Sequence, residues 1–253
     1  PRSRGLGDVY KRQGYLSTEG GWMGVRSQIE ALKEVVTYPR VLIVILDACR
    51  WDVWWSVTKR GVPVRSPASQ TNDWLKAVRS IEEFKSFGCV AANPLVVQAG
   101  VFGQVVSCLN DWEYVNDIPT VPPEKVMWKA LIWQRMRGWK KFVVWFIQPH
   151  GPYPLDCMPV FRVARFLDRT RGGRRLLCTQ DELRLVEIDR WKDAYRRNLE
   201  WVLVSVRQLI RAYRGWKVVV TSDHGECFGE DGIFGHPGGV DVDCVRIVPW
   251  WEA

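Results

Sequence analysis

Histidine is scarce in this chain: 253 residues carry three, beside 28 acidic residues. There is no Cys-x-x-Cys pair, and the seven cysteines are odd in number and scattered. That pattern argues against a disulfide framework and for buried thiols in a reducing compartment. The longest unbroken aliphatic run, Val41 to Leu46, is far too short to cross a bilayer. No signal peptide is visible, so the cytoplasm is the expected compartment. No internal repeat or low-complexity linker divides the sequence, and one domain is expected over residues 14–253. Residues 1–13 fit nothing downstream. They resemble translated sequencing-adapter read-through and are set apart from the fold.

Hydrophobic residues make up 47% and charged residues 25%, an ordinary globular balance in a chain long enough for one large α/β domain. The net charge of +8 favours anionic partners: phosphate or sulfate esters, nucleic acid, or an acidic membrane surface. It does not choose among them. Fifteen tryptophans without repeat spacing point to core and helix packing.

Three aliphatic or aromatic runs, at Val41–Leu46, Phe142–Ile147 and Val218–Val220, read as strands buried on both faces, hence a largely parallel sheet. Helical spacing runs over 25–36, from Trp74 through Phe84 with Thr71 or Asn72 as N-cap, from Pro122-Pro123 to Met136, and from Asp181 to Tyr213 before Gly215. Residues 59–70 and 110–123 read as loops, and Val245–Val248 as a last strand before Pro249. Strands alternating with helices give an α/β fold.

Ligand-type residues stand where those strands end. The first run stops at Asp47, the second leads into His150, and the third into Asp223-His224. A glycine-rich loop follows and returns His236. Asp-His-Gly alone would read as a strand-ending turn. Three such strand ends can converge on one rim of a sheet, where open α/β folds place their sites. Carboxylate oxygen with imidazole nitrogen suits zinc or manganese, with calcium the weaker candidate. Candidate nucleophiles are the hydroxyls of Ser66, Ser69 and Thr71. Thr71 falls at a helix N-terminus, where backbone N–H groups and the dipole favour an alkoxide and an incoming anion. By residue type alone, a plain N-cap is its better reading.

Leu46-Asp47-Ala48-Cys49-Arg50-Trp51-Asp52, Gln148-Pro149-His150-Gly151-Pro152-Tyr153 and Thr221-Ser222-Asp223-His224-Gly225-Glu226, with Gly229-Glu230 and Gly235-His236, resemble the alkaline phosphatase superfamily. The similar branch is the sulfatase-like one, which includes phosphoethanolamine transferases and lipoteichoic acid synthases. The resemblance covers roughly residues 38–250 and implies a three-layer fold, a largely parallel sheet with helices on both faces. It implies metal ligation by Asp47, Asp223, His224 and the nucleophile, which maps to Thr71 with Ser69 in reserve. It implies contact of His150 and His236 with the substrate or leaving oxygen, His236 alternatively serving a second metal. Arg50 is a further substrate-binding candidate, or with Asp52 a structural one. With His150 and His236 the only other histidines, a single tight metal is favoured.

The sequence departs from the family twice. The formylglycine motif of sulfatases, Cys-x-Pro-x-Arg, is missing: the one Cys-x-Pro, Cys157-Met158-Pro159, continues Val160-Phe161 and lies after the wrong strand. The membrane helices of the transferases are missing too. The resulting expectation is a metal-dependent hydrolase of a phosphate ester, less readily a sulfate ester, acting through a covalent threonine. A headgroup transferase acting on a glycan or lipid is the alternative. A non-catalytic basic module binding nucleic acid or an anionic surface, motivated by Arg171, Arg174 and Arg175, ranks well behind.

Overall fold

A computed structural model describes residues 17–18, 21–22, 24–156 and 188–253. The basic loop at Arg171–Arg175, the Cys157-Met158-Pro159 segment, residues 1–13 and the start of the long helix at Asp181 lie outside the described residues.

Two short strands, β1 (Ser17–Thr18) and β2 (Gly21–Trp22), pair with each other. Seven strands form the main sheet: β3 (Val41–Asp47), β4 (Val62–Arg65), β5 (Gly88–Ala91), β6 (Gln104–Ser107), β9 (Lys141–Pro149), β10 (Lys217–Thr221) and β13 (Ile247–Glu252), in the spatial order β4-β13-β10-β3-β9-β5-β6. β3 sits at the centre and pairs in parallel with β9 on one side and β10 on the other. Only β13 runs against its neighbours. The hairpins β7 (Glu113–Val115) with β8 (Ile118–Thr120), and β11 (Cys227–Phe228) with β12 (Phe234–Gly235), stand apart.

Every residue of β3 is buried, as an aliphatic run without polar alternation requires. Its side chains alternate between two cores. Leu42, Val44 and Leu46 meet α2 (Trp51–Thr58), α5 (Pro123–Arg137) and α6 (Ile188–Ala212) on one face. Val41, Ile43 and Ile45 meet α1 (Gln28–Val35), α3 (Thr71–Val78) and α4 (Pro94–Gln98) on the other. A short α7 (Asp243–Arg246) precedes β13. This is the expected three-layer arrangement. Trp51, Trp54, Trp74, Trp145 and Trp191 fill the cores, while Trp128 is 57% exposed on α5 and falls outside the packing role expected of the tryptophans.

Several expectations change. The segment 59–70 holds β4, an edge strand whose Pro63 lies opposite Pro249 in the antiparallel pair with β13. Proline tolerates such edge positions because no ladder donor is needed there. The last strand begins at Ile247, since Val245 and Arg246 belong to α7, and it runs through Pro249, which faces Pro63 on one side and lies just before the Trp250–Glu252 ladder with β10 on the other. The segment 110–123 contains the β7–β8 hairpin, turned by Asn116 and Asp117 at φ of 48° and 62°. The helix after Thr71 ends at Val78, and a 3-10 turn at Glu82–Ser86 takes its place near Phe84. Gln70 occupies the N-cap position, so neither Thr71 nor Asn72 is the cap.

The cysteines also depart from the all-thiol expectation. Cys227 and Cys244 form a disulfide, with Cα atoms 5.2 Å apart across a sequence separation of 17. No local spacing signals it, because α7 and β11 meet only through the fold. Cys49, Cys89 and Cys108 are buried thiols, as expected.

Candidate metal centre

β3, β9 and β10 run in parallel, so their carboxyl ends share one rim. Asp47 is the last residue of β3. Asp223 and His224 follow β10 by two and three residues, and His150 follows β9 directly. The turn after β10 is held from several sides. Ser222 Oγ accepts from the Cys49 N–H at 2.7 Å and donates to the Leu46 carbonyl at 2.6 Å. Gly225 must be glycine, since a Cβ there would lie 2.1 Å from the Cys244 carbonyl oxygen. The His150 N–H donates to the Asp47 carbonyl at 3.1 Å, and Asn198 of α6 lies 3.0 Å from the His150 carbonyl and 3.1 Å from that of Pro152.

One ligand atom from each of Asp47, Asp223 and His224 lies within 4.8 Å of the others. All three residues are buried. Thr71 joins them from α3: its hydroxyl donates to Asp223 Oδ2 at 2.7 Å and sits 3.3 Å from His224 Nε2. Gln70 holds the N-cap position without a side-chain cap bond, and the Thr71 hydroxyl, one residue on, is directed to the cluster. His224 Nδ1 faces the Gly225 carbonyl at 2.8 Å, so an N–H there leaves Nε2 as the ligand lone pair. Ser69, the reserve nucleophile, donates to the Pro237 carbonyl at 2.8 Å. Ser66 donates to the Asp223 carbonyl.

Burial lifts the Asp47 carboxyl well above the usual carboxylate range, and the neighbouring Asp223 charge pushes the same way. Burial also raises Asp223, against the pull of the Thr71 and Ala48 donors. Burial drives His224 well below the usual imidazole value. Among the described residues neither aspartate is ion-paired with a lysine or arginine. Two buried carboxylates without a lysine or arginine partner, a neutral imidazole and a hydroxyl fit a divalent cation: buried charges are paired or coordinate metals.

A second group lies beside the first. His150, Glu226 and His236 also offer ligand atoms within 4.8 Å of one another. His236 Nδ1 meets Glu226 Oε2 at 3.0 Å, and the His236 ring lies 4.5 Å from that of His224 and 5.0 Å from that of His150. Burial lowers the His236 pKa, but the Glu226 carboxylate outweighs it, with Asp47 and Asp223 helping, and His236 is pushed up to about 9. Burial and the neighbouring His236 charge lower His150. Burial raises Glu226, yet His236 holds it below the ordinary range.

Arg50 has a different place. Its guanidinium pairs with Asp52 at 2.8 Å and Glu230 at 2.7 Å, donates to the Glu226 carbonyl at 2.9 Å, and covers the Phe228 ring. These contacts fasten the glycine-rich loop to α2, which favours the structural reading of Arg50 and Asp52 over substrate binding. The structure adds residues that the sequence reading missed. Asn93 and Trp145 donate to Asp47, Glu226 partners His236, and Asn198 holds the His150 loop. The Asn-Pro step closing β5 and the Glu inside the Ser-Asp-His-Gly-Glu block were the available signals.

No protein-family model matches the chain, and no curated protein matches it in sequence. Solved structures share its fold. The soluble domain of lipooligosaccharide phosphoethanolamine transferase A from Neisseria meningitidis aligns with a TM-score of 0.55 at 16% identity, over 83% of this chain and 75% of that one. A putative sulfatase from Bacteroides thetaiotaomicron aligns with a TM-score of 0.52 at 11% identity, over 85% of this chain and 64% of that one. Phosphonate monoester hydrolase from Silicibacter pomeroyi aligns at 0.50 and 14% identity, over 85% of this chain and 68% of that one. The architecture is the one implied by the resemblance to the sulfatase-like branch of the alkaline phosphatase superfamily.

Proposed function

We propose that the protein is a metal-dependent hydrolase of phosphate esters in which Thr71 is the nucleophile. The observation that carries this reading is the Thr71 hydroxyl, buried in the first turn of α3, 2.7 Å from Asp223 and 3.3 Å from His224. A divalent cation, zinc or manganese, held by Asp47, Asp223, His224 and Thr71 would supply Lewis acidity to the hydroxyl and positive charge to the phosphoryl group.

The chain's own groups do the rest. Thr71 Oγ1, held by Asp223 Oδ2 at 2.7 Å, gives up its proton to solvent and forms a bond to phosphorus as the bond to the leaving oxygen breaks. Thr71 stands in the first turn of α3, where the positive end of the helix dipole would favour the phosphoryl charge. His236, protonated at neutral pH through its Glu226 partner, donates a proton to the leaving oxygen. His150 is neutral at that pH. It uses Nδ1 on the Gly151 carbonyl at 2.6 Å, which leaves Nε2 to accept from the water that hydrolyses the phosphothreonine.

A second reading is a phosphoryl-headgroup transferase, supported by the phosphoethanolamine transferase among the structural neighbours. It uses the same threonine but passes the group to an acceptor other than water. The deciding assay offers chromogenic phosphate monoester, phosphate diester and sulfate ester to the purified protein. Phosphoester turnover that a chelator abolishes and zinc or manganese restores is expected. Turnover of sulfate alone, or phosphoester turnover indifferent to chelator, overturns the hydrolase reading. Inactivity on all three with metal bound moves the weight to the transferase.

A further inference from the structure

Among the described residues, both hydrogen bonds that reach the Asp47 carboxylate end on the same oxygen. Asn93 Nδ2 donates to Oδ2 at 2.5 Å and Trp145 Nε1 donates to Oδ2 at 3.1 Å. An ionised carboxylate has about four lone-pair sites, two on each oxygen, so two donors fill Oδ2. Neither donor is able to turn away. The Asn93 amide is oriented by its other end, where Oδ1 accepts the Leu95 N–H at 2.8 Å as the cap of α4, so Nδ2 must face Asp47. The Trp145 indole is buried, with its ring edge-on to Trp74 at 5.3 Å and 84°. Trp74 lies one turn beyond Thr71 on α3 and donates to Gln28, whose amide reaches Thr221 and the Ser222 carbonyl on the β10 side. The same buried chain therefore registers Asp47, Thr71 and Asp223 against one another. Asp223 shows the matching arrangement: Oδ1 accepts the Ala48 N–H at 3.1 Å, and Oδ2 is the oxygen near Thr71 and His224.

We propose that Asn93 and Trp145 are positioning residues that confine Asp47 to binding a cation through one oxygen, and that this makes the centre discriminate against calcium in favour of zinc. The inference rests on the metal-centre reading above and extends it to the choice of ion. Calcium takes six to eight oxygens and readily uses both oxygens of a carboxylate. Zinc is satisfied by four donors that include nitrogen. With one oxygen of each aspartate engaged by the protein, the centre offers two carboxylate oxygens, one imidazole nitrogen and one hydroxyl, a set that suits zinc and starves calcium.

The test is metal binding, not turnover. Protein stripped with chelator is titrated by calorimetry with Zn²⁺ and with Ca²⁺, and tryptophan emission is followed in parallel. Trp145→Phe keeps the ring against Trp74 and removes the N–H. Asn93→Ser keeps an oxygen able to cap α4 but is too short to reach Asp47. Each variant is expected to bind zinc roughly 10–100-fold more weakly, the usual size of such outer-partner effects. Calcium is expected to hold or gain affinity as Oδ2 becomes available, so that the zinc-to-calcium preference narrows. A general loosening of the site would weaken both ions alike, and an unchanged preference in both variants overturns the proposal while leaving the metal centre standing. If the wild-type protein binds neither ion, the metal-centre reading falls and takes this inference with it.

Discussion

Replacing Thr71 with valine separates the nucleophile from its surroundings, because valine keeps the β-branched shape and loses only the hydroxyl. The Thr71 side chain is buried, and its partner Asp223 is fully buried. Asp223 keeps the Ala48 N–H at 3.1 Å but loses the 2.7 Å bond from Thr71. Removing one donor from a buried acceptor costs about 1–3 kcal/mol, and the surviving donor argues for the lower half of that range. At about 2–4 °C per kcal/mol for a chain of this size, Tm should fall by a few degrees, with the fold retained. The catalytic loss should be much larger. Without a nucleophile, turnover of a phosphate ester is expected to drop by at least about three orders of magnitude, roughly 4 kcal/mol of barrier at 1.36 kcal/mol per tenfold. Thr71→Ser, which restores the hydroxyl, should stay within about tenfold of wild type. The assay is steady-state hydrolysis with added zinc, accompanied by acid quench and peptide mass mapping. The wild type should show a phosphoryl group on the Thr71 peptide and Thr71→Val should show none. Turnover of Thr71→Val within tenfold of wild type, at a Tm near the wild-type value, would refute the assignment.

Two further outcomes follow from the same geometry. The folded-state pKa of His236, about 9, lies above its ordinary 6.5, so its contribution to stability is fully present below about 6.5 and is lost as pH rises through about 9. In chelator, Tm should therefore decline over that window, by the equivalent of at most about 3 kcal/mol from this group. The raised Asp47 and Asp223 act in the same direction, because a carboxyl with a raised pKa also loses stability as pH rises. His236→Gln should flatten the decline in part, and an unaltered slope would show that the Glu226 pair does not carry it. For the disulfide, peptide mapping without reductant should recover Cys227 linked to Cys244. Closing a loop of this length is worth about 3 kcal/mol, so reductant should lower Tm measurably. Recovery of both cysteines as thiols from unreduced protein would contradict the pairing.

The central strands and their terminal ligands were legible because a strand buried on both faces writes an unbroken aliphatic run, and each run here stops at a carboxylate or leads into a histidine. Asp47, Asp223 and His224 were found that way and do stand together. Thr71 was harder. A threonine at a helix start reads as a cap, and only the position of Gln70 shows that it is not one. β4 and β13 were blurred by Pro63 and Pro249, which look like breakers in sequence and are tolerated opposite each other at the antiparallel edge. The donors to Asp47 were hidden for another reason: Asn93 and Trp145 are 46 and 98 residues away from it along the chain, and no local pattern encodes such a meeting. The Cys227–Cys244 bond was illegible likewise, since spacing alone does not distinguish a paired cysteine from a buried thiol.

The central place of β3 bears on how the protein comes to fold. Its parallel partners begin at Lys141 and Lys217, roughly 100 and 175 residues further along the chain, so each must be synthesised long after β3 before it can pair. Parallel pairings of this kind have no hairpin to nucleate them, and closing such long loops is entropically slow. Ala48 and the Asp223 carboxylate that it binds are separated by 175 residues. The nascent chain therefore carries Asp47 and Thr71 for a long interval without the strand that completes their site. Folding rate and recovery on refolding should be governed by the arrival of β10, and a gene product ending before Lys217 would hold the nucleophile but never assemble the centre around it.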